Sequence, residues 1–421
     1  MTNSPQRILW LSNRLLGEEA DTRSGTWLGA LGPELSQRPE IVLANISFGS
    51  TKGVESMDYG DIKQWQVPAP QANKLPKEEI IKAILDTIKA FQPDLIQIWG
   101  VEQYWGRLFA AGLLSSAPVL VNIQGVMKSI VATYNGGLTF KEQLQCLGIR
   151  ELIYPKDSIF GQIKLFKRLS EIEAEILASA QYITTQSKWS RAQVYSINAK
   201  AQYFHTERAL RPEFYQAEPW SPSGKHNDLQ LFSSSFGNPY KGFHVILRAL
   251  AELKKDFPKL QLRVAGGSLS ISWKNTGYNK FLLRQIVKLG LEDNIVWLGS
   301  LNAERLIEEL QNAHCYLHSS FVESYSLAMA EALAIGTPAI CSYAGALPEM
   351  SEDCNSVAYF PPGDALKMSA AVRELISNTL YAKEMSSRSR RFIRKRCDKN
   401  AIIETQLETY KTLLQKENTL D

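Results

Sequence analysis

From residue 7 almost to the end of the chain, short and mostly apolar runs alternate with stretches in which apolar residues recur every three or four positions. The short runs at 7–12, 41–46, 94–99, 118–123, 181–184 and 201–205 have strand length and little polar alternation, the pattern of strands buried on both faces. Between them, 26–35, 76–91, 103–114, 161–178 and 187–196 read as helices. Such alternation predicts a parallel sheet covered by helices on both faces. The stretch 217–228, Ala-Glu-Pro-Trp-Ser-Pro-Ser-Gly-Lys-His-Asn-Asp, breaks the pattern with two prolines, a glycine and polar residues, and reads as a linker. Alternation then restarts, with strands predicted at 229–233, 260–265, 294–298, 315–318, 339–342 and 357–360. Helices are predicted at 241–255, 277–289, 303–312, 325–334 and 364–377. A last helix, about 399–415, carries Ile402, Ile403, Leu407, Tyr410, Leu413 and Leu414 on one stripe.

A length of 421 residues exceeds one ordinary core and agrees with two domains. Hydrophobic content of 44% and charged content of 21% are those of a soluble globular protein and exclude long disorder. A net charge of +4 is too small to point to nucleic acid. Residues 7–12 read as a strand and not as the apolar part of a secretory leader, and no apolar run approaches the ~20 residues of a membrane span. The expectation is a cytoplasmic chain that at most lies on the inner face of the cell membrane. Cys146, Cys315, Cys341, Cys354 and Cys397 are far apart, as expected of buried free thiols in a reducing compartment.

The most specific chemistry lies in His318-Ser-Ser-Phe-Val-Glu323-Ser-Tyr-Ser-Leu-Ala-Met-Ala-Glu331-Ala-Leu-Ala-Ile-Gly336-Thr-Pro338. The run reads as strand, loop, helix and glycine stop, followed by another strand. Glu323 falls at the helix mouth and Glu331 about two turns further in. The backbone N–H groups of Ser324, Tyr325, Ser326 and Leu327 would be the unsatisfied donors of a helix N-terminus, a ready site for a diphosphate. Each carboxylate can accept a pair of hydroxyls, which a nucleotide sugar offers on its hexose and on its ribose.

This run resembles the donor-site motif of the retaining glycosyltransferases of family 4. The resemblance covers essentially the whole chain and is strongest from 229 to 362. It implies the GT-B fold, in which two doubly wound, Rossmann-like α/β domains with parallel sheets face a central cleft. Residues 1–217 would form the N-terminal, acceptor-binding domain and 218–398 the nucleotide-sugar-binding domain, with the last helix, about 399–416, crossing back to complete the first. The implied reaction moves a hexose from a nucleotide-diphosphate sugar to a hydroxyl of a glycan or lipid-linked acceptor in bacterial surface polysaccharide synthesis. The nucleotide sugar is a co-substrate; no cofactor and no metal are implied.

Further residues take roles from the same resemblance. Ser233-Ser-Ser-Phe-Gly-Asn-Pro-Tyr-Lys241-Gly242 opens a helix, and a lysine there can reach a phosphate as a point charge, or be an ordinary solvated turn residue that adds little packing. Most family members carry an arginine where this chain has Ser235; Arg211, Arg248 and Arg263 are the candidates to replace it. Ser24-Gly25-Thr26 resembles the family's loop beside the donor phosphate and the acceptor. Gly266-Gly267 and Leu298-Gly-Ser-Leu301 resemble the loops holding the base, although each also fits a plain strand-ending turn. Gly345-Ala-Leu-Pro348-Glu349 resembles the family loop that ends in a glutamate. Glu102 and Gln124 follow strands and would face the cleft. Family members commonly place a histidine near Gln124; glutamine keeps the hydrogen-bonding end but cannot be a general base. A retaining transfer in which the departing phosphate takes the acceptor proton tolerates that change. His205-Thr-Glu207 and Leu210-Arg211 resemble a domain junction on the acceptor side, and fit a structural role equally well.

Metal chemistry finds no pattern: Asp-x-Asp does not occur, and His314 and His318 bracket a strand, where their spacing spans roughly 13 Å. The segment 149–169 sets Ile153, Phe160 and Phe166 beside Lys156, Lys164, Lys167 and Arg168. It reads either as a surface lying on an anionic membrane or as a core helix with a solvated basic side. The run 388–396 is a second basic cluster with the pattern of a solvated helix face. Two other functions fit: a GT-B epimerase or phosphorylase, marked by donor turnover without acceptor, and a non-catalytic nucleotide-sugar or glycan-binding protein, marked by binding without turnover.

Overall fold

The computed structural model describes residues 4–17, 26–69, 75–101, 103–221, 228–234, 236–269, 272, 275–353 and 355–417. Its chain forms two units, Met1–Val126 with Leu169–Leu210 and Cys397–Asp421, and Met127–Arg168 with Arg211–Arg396.

The first unit is built on β1 (Gln6–Leu11), β2 (Ile41–Gly49), β3 (Glu55–Ser56), β4 (Lys63–Pro68), β5 (Leu95–Trp99), β6 (Val119–Asn122), β7 (Tyr182–Thr185) and β8 (Gln202–His205). They lie in the order β3-β4-β2-β1-β5-β6-β7-β8, and every pair is parallel except β3 with β4. The central strands are largely apolar because helices cover both faces: Ile8, Leu9, Trp10 and Leu11 are fully buried, as are Ile96, Ile98 and Trp99. The last helix, Lys399–Glu417, belongs to this unit, burying Ile402, Ile403, Tyr410 and Leu413. Its Tyr410 hydroxyl accepts from Trp10 Nε1 at 2.9 Å and donates to Gln97.

Strand β4 does not show in the hydrophobic pattern, since its sequence Lys-Gln-Trp-Gln-Val-Pro is half polar. Gln64 is nevertheless buried, because its amide satisfies the backbone around it. Nε2 donates to Leu16 O at 2.7 Å, and Oε1 accepts from Leu16 N at 2.9 Å and from Asn45 Nδ2 at 3.0 Å.

The second unit holds β9 (Gln230–Ser233), β10 (Gln261–Ala265), β11 (Ile295–Gly299), β12 (Cys315–His318), β13 (Ala339–Ser342) and β14 (Ala358–Phe360), all parallel, in the order β11-β10-β9-β12-β13-β14. The direction of winding reverses between β9 and β12. In doubly wound sheets the crevice beyond the carboxyl ends of such a pair is where ligands bind.

The division differs from the expected 1–217 and 218–398 because residues 127–168 and 211–217 belong to the second unit, the first of these segments as a separate insertion. The fastening of 127–168 is polar and specific. Buried His244 meets Gly136 O at 2.9 Å through Nε2 and Tyr278 Oη at 2.9 Å through Nδ1, and burial holds its imidazole down to about 3, hence neutral. Glu142 takes Arg248 Nη2 at 2.7 Å, and buried Glu151 accepts from Gly277 N at 2.7 Å. None of these partners is a neighbour in sequence, so no local pattern announces them.

Cys146, Cys315, Cys341 and Cys397 are buried free thiols, and Cys354 lies outside the described residues. Among the described residues no helix is long and apolar enough to cross a membrane.

Candidate active site

The loops leaving β9 and β12, the two strands at the reversal point, are laced together. Phe321 N donates to Tyr240 O at 2.7 Å, and Ser319 Oγ donates to Lys241 O at 3.0 Å. The contact requires glycine at 242: φ is 72°, and a Cβ there would stand 2.1 Å from Ser319 O.

This lacing brings Lys241 and Glu323 together across 82 residues of sequence, with Nζ 2.6 Å from Oε1. The same oxygen accepts from Ser320 Oγ at 2.7 Å and lies 3.4 Å from His318 Nε2. Tyr316 Oη is 3.1 Å from His318 Nδ1, and Ser234 Oγ is 3.0 Å from that hydroxyl. A polar chain thus runs Ser234–Tyr316–His318–Glu323–Lys241. Burial pushes the Glu323 carboxyl up, but the Lys241 ammonium and then His318 outweigh it and hold the group at about 2. The backbone of Glu323 is fixed as well, since Ala346 N donates to its carbonyl at 2.8 Å.

Gly345 packs on that carbonyl with φ 57°, and a Cβ would fall 2.2 Å from it. Gly345→Ala is therefore expected to push Glu323 out of place, lowering stability by about 1–3 kcal/mol in urea unfolding. Gly53→Ala, with nothing near its Cβ position, should be nearly neutral. Equal effects at the two positions would contradict this packing.

Because the Glu323 carboxyl is lowered from 4.5 to about 2, its pairing stabilises the fold fully above about pH 4.5 and is lost as pH falls through 2. Over that interval Lys241→Ala protein should lose less stability than the wild type. Parallel acid-unfolding curves would show that the pair does not act this way.

Helix Leu327–Ile335 starts two residues later than expected, with Ser326 as cap, its Oγ accepting from Met329 N at 3.2 Å. The N–H groups of Leu327 and Ala328 stand before the first intrahelical acceptor. Tyr325 lies under Arg396, 5.5 Å from ring centroid to guanidinium carbon. Further along, Glu331 is 6% exposed and its Oε1 accepts from Arg211 Nε at 2.8 Å. Burial raises its carboxyl, and Arg211 only partly opposes this.

In both glutamates Oε1 is tied to the protein, while Oε2 has no partner among the described residues and neither is sealed from solvent. Each presents one open carboxylate oxygen, the group a sugar hydroxyl would donate to.

Of the arginines considered in place of the one missing at 235, Arg263 is locked bidentately on Glu309, and Arg248 bonds Glu142 through Nη2. Arg211, expected on the acceptor side, belongs to the second unit and holds Glu331. Ser235 itself, with Gly25 and Glu102, lies outside the described residues. Gly266 N donates to Gly299 O at 2.8 Å, so the loops after β10 and β11 are joined there, and Gly267 bridges the same residue; Leu301 is half-buried.

In the first unit, Thr26 opens helix Thr26–Ser36, and Gln124 is held at side chain and backbone, Nε2 donating to Trp99 O at 2.9 Å and the backbone carbonyl accepting from Gln186 Nε2 at 3.0 Å. His205 is exposed and pairs with Glu207 at 2.7 Å. Arg208 is buried, 3.7 Å over the Trp27 ring.

Sequence reasoning missed His318, which it weighed only as a metal ligand, and Ser320. The alternation of a strand puts Tyr316 and His318 on one face, two residues apart, and would have signalled the pair. His314 accepts from Gln230 N instead. Among the described residues no three His, Cys, Asp or Glu side chains cluster as metal ligands.

Residues 216–392 match the family described as glycosyl transferases group 1. The MMP alpha-(1->4)-mannosyltransferase of Mycolicibacterium hassiacum is 29% identical over 203 residues, 46% of this chain and 47% of that protein. Sucrose-phosphate synthase from Thermosynechococcus elongatus superposes with TM-score 0.75 at 16% identity, over 98% of this chain and 100% of that one. Anabaena HepE in complex with UDP-glucose gives 0.67 at 16%, over 96% and 99%. The fold is GT-B. Matched stretches span only 29% to 47% of the first curated relatives' own length.

Proposed function

We propose that this chain, with its group 1 glycosyl transferase domain at 216–392, is a retaining, metal-independent hexosyltransferase. It would carry a hexose from a nucleotide-diphosphate sugar to a hydroxyl of a glycan or lipid-linked saccharide in surface polysaccharide synthesis, on the cytoplasmic side. The observation that carries the reading is the pair of open carboxylate oxygens on Glu323 and Glu331, beside Lys241 and the mouth of helix Leu327–Ile335.

In this reading Glu331 Oε2 receives the ribose hydroxyls and Glu323 Oε2 those of the hexose. The diphosphate lies at the first N–H groups of the helix, with Lys241 against it. The bond from the anomeric carbon to the diphosphate oxygen breaks as the acceptor oxygen bonds to that carbon from the same face. The acceptor proton passes to the departing phosphate, so Gln124 is not asked to be a base. Lys241 and the helix end stabilise the negative charge that builds on the leaving group, work a divalent cation does elsewhere. Gly266, Gly267 and Leu301 would border the base, and Thr26, Glu102 and His205 the acceptor.

A thermal-shift panel of UDP, GDP, ADP and their hexose conjugates in EDTA tests this. The matching ligand at 100 times its dissociation constant should add about 2.7 kcal/mol of stability. A shift that appears only when Mg²⁺ or Mn²⁺ is added would contradict the proposed phosphate site.

A further inference from the structure

Of seventeen exposed large apolar side chains among the described residues, nine fall between 140 and 165. Ile149 is 77% exposed, Leu152 75%, Phe140 68% and Ile153 64%, far beyond the scatter of single apolar residues that any surface carries. They form one surface. Phe140 and Phe160 meet edge to face at 6.4 Å, joining the start of helix Phe140–Gln145 to that of helix Ile159–Ser179, and the Arg150 guanidinium sits 5.8 Å over Tyr154.

The opposite side of the same segment is buried on the second unit through Tyr134, Leu138, Cys146 and Glu151. Its inner face is therefore already used, and the outer apolar face is left over.

Charge says what covers it. Lys141, Lys156, Lys164, Lys167 and Arg168 are exposed around the patch. The segment's carboxylates are spent within the protein: Glu142 on Arg248, Glu151 on Gly277 N, and Asp157 on Arg150 at 2.6 Å. A second copy docked about a twofold axis would set these cations against themselves. A bilayer with anionic headgroups would accept both the apolar side chains and the cations.

We propose that the face formed by residues 140–165 docks peripherally on an anionic lipid surface. The docking needs no nucleotide and no turnover, so it stands or falls separately from the transfer reaction. It would also hold the active-site loops at the membrane, because Tyr134 of the same segment packs on Tyr240, with ring centroids 5.7 Å apart, next to Lys241.

Flotation with vesicles of phosphatidylcholine, alone or mixed equally with phosphatidylglycerol, tests the proposal. The protein should float with mixed vesicles and not with neutral ones, and less as salt rises. Ile149→Asp with Leu152→Asp should weaken binding by about tenfold or more, and Lys156→Glu with Lys164→Glu should weaken it at low salt, both with unchanged thermal unfolding and nucleotide binding. No flotation with mixed vesicles would overturn the proposal. So would a wild-type dimer in sedimentation equilibrium that Ile149→Asp with Leu152→Asp dissolves, since the face would then belong to a second copy.

Discussion

Lys241→Ala is expected to lower kcat about a hundredfold or more, with a much smaller change in KM. In the proposed reaction the leaving diphosphate gains negative charge as its bond to the sugar stretches, so a cation fixed against it would stabilise the transition state more than the bound donor. Arg248 and Arg263 are committed to Glu142 and Glu309, which leaves Lys241 as the side-chain cation on the β9 loop best placed for the task. Its ammonium is raised further: burial opposes the charge, but Glu323 and Tyr240 outweigh burial, so it is charged throughout the neutral range. Sequence alone would make Lys241 a turn residue of little weight for stability. Its bond to Glu323 changes that, and removing a charged hydrogen-bond partner from a carboxylate whose side chain is 11% exposed should cost about 1–3 kcal/mol of stability as well. Lys241→Ala protein that turns over normally on its true substrates would move the phosphate site elsewhere.

Glu331→Ala should raise the dissociation constant of the free nucleoside diphosphate about tenfold or more, the equivalent of one charge-assisted hydrogen bond of about 1.5–3 kcal/mol. The alanine variant also strips the partner from Arg211, whose side chain is 14% exposed, and so mixes a structural loss with a binding loss. Glu331→Gln separates the two. It keeps an acceptor for Arg211 Nε but removes the negative charge that a ribose hydroxyl would meet. Weakened nucleotide binding by Glu331→Gln at unchanged thermal stability is the expected pattern in titration calorimetry. Unchanged affinity in both variants would remove Glu331 from the ribose site.

What could be read in the sequence divides along a physical line. All strands except β3 and β4 were legible because each is a short, largely apolar run bounded by turn residues; β12 and β13 fall at the expected residues. Gly336 at the end of helix Leu327–Ile335 and the two glutamates were legible for the same reason, being local, whereas the expected linker at 217–228 was not one: its described residues belong to the second unit, where Trp220 is buried and donates to Ala313 O at 2.8 Å. Contacts between residues far apart in sequence were not. Segment 127–168 joins the second unit through His244, Arg248 and Gly277, and strand β4 depends on the side chain of Gln64 bonding to Leu16. The pairing of Lys241 with Glu323 lies between these cases. Each residue was singled out by its own motif, and only the lacing of two loops beyond β9 and β12 puts them 2.6 Å apart.

Proton NMR of the anomeric region during turnover tests the central claim most directly, using the nucleotide sugar identified by thermal shift and a panel of saccharide acceptors in EDTA. The account predicts stoichiometric release of nucleoside diphosphate and a new glycosidic signal with the donor's own anomeric configuration, both reduced about a hundredfold or more in Lys241→Ala. A product of inverted configuration, or donor consumed at the same rate without any acceptor, would contradict it.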